Sequence, residues 1–226
     1  MSDISFAGIG AAVSRRALLA AGGAVLAMTW GSQAFAQRRS GPSEVSVEEL
    51  MKPGELPDLV LGSADAKVTI VEYASMTCGH CANFHNNVFP ELKKNYIDTG
   101  KVRFVMREFP LDNLAAAGSM LARCAGGDKT YPMIEMLFAK QSDWVVRENP
   151  VPKLFALAKQ AGFTQESFDK CLTDDKLLSQ IENARKRASE AFGVSSTPTF
   201  FINGKRLEGA PTIAEFDKAL EPLLKG

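Results

Sequence analysis

Apolar positions along this chain switch between a period of two and a period of three to four, and the switches divide it into segments. From Asp58 onward, Leu59-Val60-Leu61, Val68-Thr69-Ile70-Val71-Glu72-Tyr73 and Val102-Arg103-Phe104-Val105-Met106 are short β-rich runs bounded by turn residues. Between the last two, Phe84, Val88 and Leu92 recur at i, i+4 and i+8, which predicts a helix opening at Cys78. Pro90 predicts a kink in it, because proline removes a donor and crowds the preceding turn. Strand, helix and strand in this order predict a parallel pair joined by a right-handed crossover. Residues 113–192 read as helices only: Leu114 to Cys124, Tyr131 to Ala139, Pro152 to Ala161, Gln165 to Leu172 and Asp174 to Phe192. Gly126-Gly127, Asn149-Pro150, Gly162 and Gly193 separate several of them. Strands resume with Thr199-Phe200-Phe201-Ile202 and Lys205-Arg206-Leu207. The intervening Asn203-Gly204 predicts a hairpin, since a type I′ turn needs positive φ at both positions. A last helix is expected from Thr212 to about Leu224.

The start of the chain follows a different pattern. Ser14-Arg15-Arg16-Ala17-Leu18-Leu19 carries a twin arginine, an apolar stretch runs to about Met28, and Ala34-Phe35-Ala36 offers a cleavage site. Residues 1–36 are therefore read as a cleaved, twin-arginine-like export signal, with an uncleaved signal anchor as the alternative. The apolar stretch falls short of the roughly 20 residues needed to span a bilayer. Residues 37–57 are polar and punctuated by Pro42, Pro53 and Pro57, with one short helical run, Val47 to Met51. They read as an N-terminal extension or linker rather than a domain. Apolar residues make up 46% of the 226, which excludes a disordered or wholly membrane-embedded chain. Lys+Arg and Asp+Glu are both 26, so no basic excess exists to attract nucleic acid. Export implies an oxidising compartment, where disulfide chemistry is the expected use of the four cysteines.

That chemistry centres on Cys78-Gly79-His80-Cys81 at the predicted helix start. Two thiols at this spacing can close a small disulfide ring and reopen it with little backbone movement. Cys78 is the expected nucleophile, because a helix N-terminus favours its thiolate. His80 adds an imidazole beside it, and Cys81, one turn further in, is the expected resolving thiol. A fixed disulfide is the bland alternative. A zinc site is the other, since His80 and His85 are the only two histidines and His85 lies four residues beyond Cys81. Four ligands crowded at one helix start cannot easily surround a tetrahedral ion, and no second CxxC exists, so no metal is expected. Glu72 interrupts an apolar strand on the face of Val68 and Ile70. It is expected to point into the core and to exchange protons with Cys81; an edge position facing water is the alternative. Thr197-Pro198 precedes the strand at Thr199.

These features together carry a resemblance. The β-α-β segment, the helical block, the β-β-α segment, Cys78-Gly79-His80-Cys81, Glu72 six residues earlier and Thr197-Pro198 resemble the DsbA family of thiol:disulfide oxidoreductases over residues 58–226. The resemblance implies an α/β thioredoxin-like fold with an inserted all-helical subdomain, 111–193. It implies a cis bond at Pro198, placing the Thr197 backbone beside Cys78 to pair with a substrate segment. It also implies reoxidation by a membrane partner of the DsbB type. Cys124 and Cys171 fall on apolar helix faces at the spacing of their neighbours. In an exported chain they are expected to form a structural disulfide, as some DsbA-like proteins do, with free buried cysteines as the alternative. The expected function is a periplasmic oxidoreductase that forms disulfides in exported proteins, monomeric, without cofactor. An isomerase or reductase kept reduced in the same compartment is the alternative, because Gly79-His80 is also used by isomerases and Thr197 precedes the proline. A non-catalytic chaperone or metal-binding module is a third reading.

Overall fold

The computed structural model of the chain describes residues 41–225, so the expected export signal lies outside the described residues. In chain order the elements are α1 (Val47–Met51), β1 (Leu59–Leu61), β2 (Val68–Ala74), α2 (Gly79–Asn87), α3 (Phe89–Leu92) and β3 (Val102–Glu108). The helical block follows as α4 (Asn113–Ala125), α5 (Thr130–Ala139), α6 (Gln141–Trp144), α7 (Pro150–Gln160), α8 (Gln165–Leu172) and α9 (Asp175–Phe192). Then come β4 (Thr199–Ile202), β5 (Lys205–Glu208) and α10 (Ile213–Lys225). Among the described residues, no helix is long and apolar enough to cross a membrane.

The five strands form one sheet in the order β1-β3-β2-β4-β5. β2 pairs parallel with β3 and antiparallel with β4, so it is flanked on both sides. Its side chains alternate between two cores, as the pleat requires. Val68, Ile70 and Ala74 face the larger core with Phe84, Phe104, Phe200 and Phe216, which continues into the helical block. Val71 and Tyr73 face a smaller one with Leu50, Val105, Phe192 and Phe201. The Asn203-Gly204 turn has φ of 46° and 85°, the two positive values its hairpin needs. Pro90 has the expected effect, but two residues early. α2 ends at Asn87, Val88 turns the chain, and α3 restarts with the proline in its first turn, where the lost N–H costs least.

The segment read as an extension is built into the fold. Val45 N–H donates to the Gly204 carbonyl at 2.9 Å, and Arg206 N–H donates to the Ser43 carbonyl at 2.8 Å. A Cβ on Gly204 would lie 2.4 Å from the Val45 carbonyl oxygen, so this approach needs glycine. Leu50 of α1 is 1% exposed and sits in the smaller core. Four arginines of the sheet and helices then hold the segment by its backbone. Arg107 donates to the Leu50 carbonyl, Arg123 to that of Pro57, and Arg206 to that of Pro42. Arg187 donates to the carbonyls of both Lys52 and Glu49.

Cys124 and Cys171 are joined in a disulfide across 47 residues, linking α4 to α8. Cys171 is buried, as its helix face suggests, but Cys124 is exposed at the C-terminal end of α4. The expectation of a buried apolar face for Cys124 is corrected here: it shares the side of Met120 and Leu121, but in the last turn of α4, beyond the end of the packed stripe. Closing a loop of this length constrains the unfolded chain by about 4 kcal/mol in the loop-entropy model. Serine at both positions is expected to lower unfolding free energy by up to that amount, read by chemical denaturation. Leu50→Ala is expected to cost about 2–5 kcal/mol, because it empties a fully buried site. A surface linker would lose almost nothing.

Candidate active site

β2 ends at Ala74, and a short turn carries the chain into α2 with Cys78 as its N-cap residue. The sulfur of Cys78 accepts from the Cys81 N–H at 3.4 Å, so the cap residue and the nucleophile are the same atom group. Around this turn the polar groups are all engaged. Ser75 Oγ accepts from Leu111 N–H, and Thr77 Oγ1 donates to Asp112 Oδ2 at 2.8 Å. Asp112 in turn caps α4 through the Ala115 N–H. Gln141 of α6 donates from one amide nitrogen to the carbonyls of Met76, at 2.9 Å, and Cys78, at 3.1 Å. The helical block thus grips the thiol-bearing turn at two places.

From the far end of the chain, the register Tyr73↔Thr199 brings the segment before β4 alongside. The Thr197–Pro198 peptide bond is cis. The Cys78 thiol donates to the Thr197 carbonyl oxygen at 3.2 Å. Gly79, His80, Ser195 and Ser196 around it are exposed, and Leu111 on the adjoining loop is 49% exposed. Cys78 itself is 8% exposed, so its sulfur lies at the floor of an exposed rim, framed by backbone able to pair with an extended chain.

The two thiols are set apart electrostatically. Cys78 is lowered to about 5, chiefly by a hydrogen bond from the Cys81 thiol, against the opposing effect of burial. The Thr197 side chain and the backbone N–H groups of Cys81 and His80 add to the lowering. The carbonyl of Thr197 can accept only from the protonated thiol. The Thr197 hydroxyl, buried without a hydrogen-bond partner, is the group free to serve the thiolate. Burial pushes the Cys81 thiol far above the ordinary range, with its hydrogen bond to Cys78 and the charges of Glu72 and Cys78 adding. One thiol is poised to attack or leave, and the other to hold its proton.

Most of the residues singled out in the sequence meet here. Glu72 is fully buried on the α2 side of the sheet rather than at an edge. His80 differs in detail: its imidazole is exposed, and its backbone N–H is the part that reaches Cys78. The sequence reading missed three supports. His85 Nε2 lies 2.9 Å from Glu72 Oε2, so the histidine weighed as a zinc ligand is bound to a carboxylate within the core. Among the described residues no group of three or more His, Cys, Asp or Glu is placed to hold a metal. The contacts of Gln141 and Asp112 join distant segments and leave no periodic trace.

Comparison with known proteins agrees with this geometry. The family model described as thioredoxin matches residues 55–222. The crystal structure of Wolbachia pipientis alpha-DsbA1 superposes with a TM-score of 0.73 at 32% identity, covering 80% of this chain and 96% of that one. The chain belongs to the DsbA branch of the thioredoxin family. Disulfide bond formation protein D of Bacillus subtilis is 31% identical over 173 residues, which is 74% of this DsbA-like chain and 77% of that protein. A Rickettsia bellii protein, named as a protein-disulfide oxidoreductase, is 38% identical over 168 residues. The match covers 73% of this chain and 65% of the Rickettsia protein's length.

Thiolate absorbance at 240 nm is expected to titrate with a midpoint near pH 5 in the reduced protein. Because the folded value lies below that of a free thiol, alkylation by iodoacetamide should fall off only as pH drops through about 5. Cys78→Ser should remove both signals, while Cys81→Ser should leave a thiolate with a higher midpoint.

Proposed function

We propose that this chain is a thiol:disulfide oxidoreductase that forms disulfides in exported proteins, working outside the cytosol. The observation that carries the reading is the position of the Cys78 sulfur. It sits at a helix N-terminus, against the Thr197 carbonyl and beneath an exposed rim at 8% exposure, with the second thiol fully sealed one turn away. A client thiolate attacks Cys78 of the Cys78–Cys81 disulfide, and the electron pair of the broken bond leaves on Cys81. A second client thiolate then attacks the client sulfur of the mixed disulfide, releasing an oxidised client and the Cys78 thiolate. The low Cys78 value makes that release favourable and the disulfide form the stronger oxidant. Gly79 and the exposed rim leave room for a polypeptide, whose backbone can pair with Thr197 as an added strand. A membrane reoxidant of the DsbB type would return the dithiol to the disulfide, and the segment 1–36 would direct export.

An isomerase or reductase running in the same compartment is the second reading, favoured by Gly79-His80 and by Thr197 before the proline. The two differ in redox potential. Equilibrating the purified protein against glutathione buffers and reading the Cys78–Cys81 state is expected to give a value near the strong-oxidant end, about −120 mV, rather than near about −270 mV. Cys78→Ser should abolish oxidation of a reduced, unfolded client protein. Retention of that activity in the variant would overturn the enzymatic reading altogether.

A further inference from the structure

Of the buried polar atoms without a hydrogen-bond partner, Glu72 Oε1 and His85 Nδ1 belong to one hydrogen-bonded pair beneath α2. Side chains of both residues are almost sealed, at 0% and 2% exposure. His85 lies stacked on Phe138 at 4.4 Å and 14°, with Phe84 and Phe89 at 5.1 and 5.0 Å closing its other sides. Leaving a buried donor or acceptor unmade is costly, so two in one pair call for a reason. Nδ1 has no acceptor to receive a proton's hydrogen bond. The ring is therefore held as the Nε2–H tautomer, donating to Glu72 Oε2. That leaves Oε1 as the only uncommitted atom of the carboxyl group.

Cys81 supplies the reason. Its sulfur is wholly buried, and it must gain a proton each time the disulfide opens and lose one each time it closes. Glu72 is close enough for its charge to act on that thiol. We propose that His85 is a positioning residue acting through Glu72, fixing the carboxyl so that Oε1 gives Cys81 its proton and takes it back. This rests on the thiol–disulfide exchange reading above. When a client thiolate attacks Cys78, the S–S bond to Cys81 breaks and its electron pair stays on Cys81 Sγ. The proton on Oε1 passes to that sulfur, leaving a buried carboxylate. The Nε2–H of His85 then holds a charge-assisted bond to Oε2, which is roughly twice as strong as its neutral counterpart. On closure the same proton returns. Among the described residues, the other ionisable groups around the pair are Cys78 at the cap of α2, Glu108 on β3 with its partner Arg123 of α4, and Tyr131 of α5. Burial, with the charges of Glu72 and Glu108, pushes the Tyr131 phenol up and keeps it neutral, and Glu108 is held by Arg123 at 2.5 and 2.8 Å. Neither can serve as the proton store.

The chain has two histidines, so ¹⁵N-histidine NMR reads His85 against His80 as an exposed internal control. The expected result is an Nε2–H tautomer for His85 in both forms, with its Nε2 resonance moving between disulfide and dithiol. An Nδ1–H tautomer, or an Nε2 signal unchanged between the forms, would overturn the proposal. His85→Phe keeps the stacked ring and removes the donor. Glutathione reduction of the Cys78–Cys81 disulfide at fixed pH should then slow by about tenfold, while the 240 nm midpoint of Cys78 stays near 5. An unchanged rate in a folded His85→Phe protein sinks this inference alone. A wild-type protein that does not exchange with glutathione at all sinks the functional reading instead. Should the variant fail to fold, the wild-type NMR comparison decides.

Discussion

The site depends on β2 being hydrogen-bonded along both edges. Its parallel pairing with β3 sets the crossover that lays α2 over the larger core, and its antiparallel pairing with β4 fixes where residues near the other end of the chain arrive. Register does the rest. With Tyr73 opposite Thr199 and Glu72 opposite Phe200, Thr197 falls beside Cys78 and Glu72 falls beneath α2. A slip of one residue would turn Glu72 toward the smaller core and Val71 toward the thiols, because side chains alternate along a strand. The chemistry of the sulfur pair is thus set by backbone pairing before any side chain is considered.

The same arrangement explains how two cysteines three residues apart come to differ so widely. Cys78 occupies the cap position, where N–H groups of the first turn converge on its sulfur. Cys81 occupies the next turn and faces inward, where nothing solvates a charge. Stabilising one thiolate while penalising the other needs only the direction of a helix and its depth against the sheet. Gln141 and Asp112 hold that depth constant from the helical block, so the insertion also acts as a brace for the thiol-bearing turn.

Much of this was legible in the chain because it is written in local patterns. Alternation fixed the strands and placed Glu72 on the correct face. Asn203-Gly204 marked its hairpin, and the CxxC spacing marked the helix start. Contacts that cross the fold left no such mark. His85 sits four residues from Cys81 and reads as a possible ligand until the strand beneath it is known to carry Glu72 opposite its ring. Gln141 belongs to a four-residue helix too short to show any period. Cys124 looked apolar by spacing, yet the last turn of a helix is where the packed face gives way to solvent. Residues 37–57 read as an extension or linker because the segment is bonded to the body of the protein through its backbone groups, which every residue has.

That last feature has a consequence for how the segment from Pro42 to Pro57 can vary. Arg107, Arg123, Arg187 and Arg206 recognise the segment's peptide oxygens rather than its side chains, and its apolar anchors are the buried Leu50 with the partly buried Val45, Met51 and Leu56. Information about docking is therefore stored in the body of the protein and not in the segment docked. Substitutions at its exposed positions should be nearly silent provided its length, its apolar anchors and its backbone path persist. Loss of one arginine should instead release several residues together.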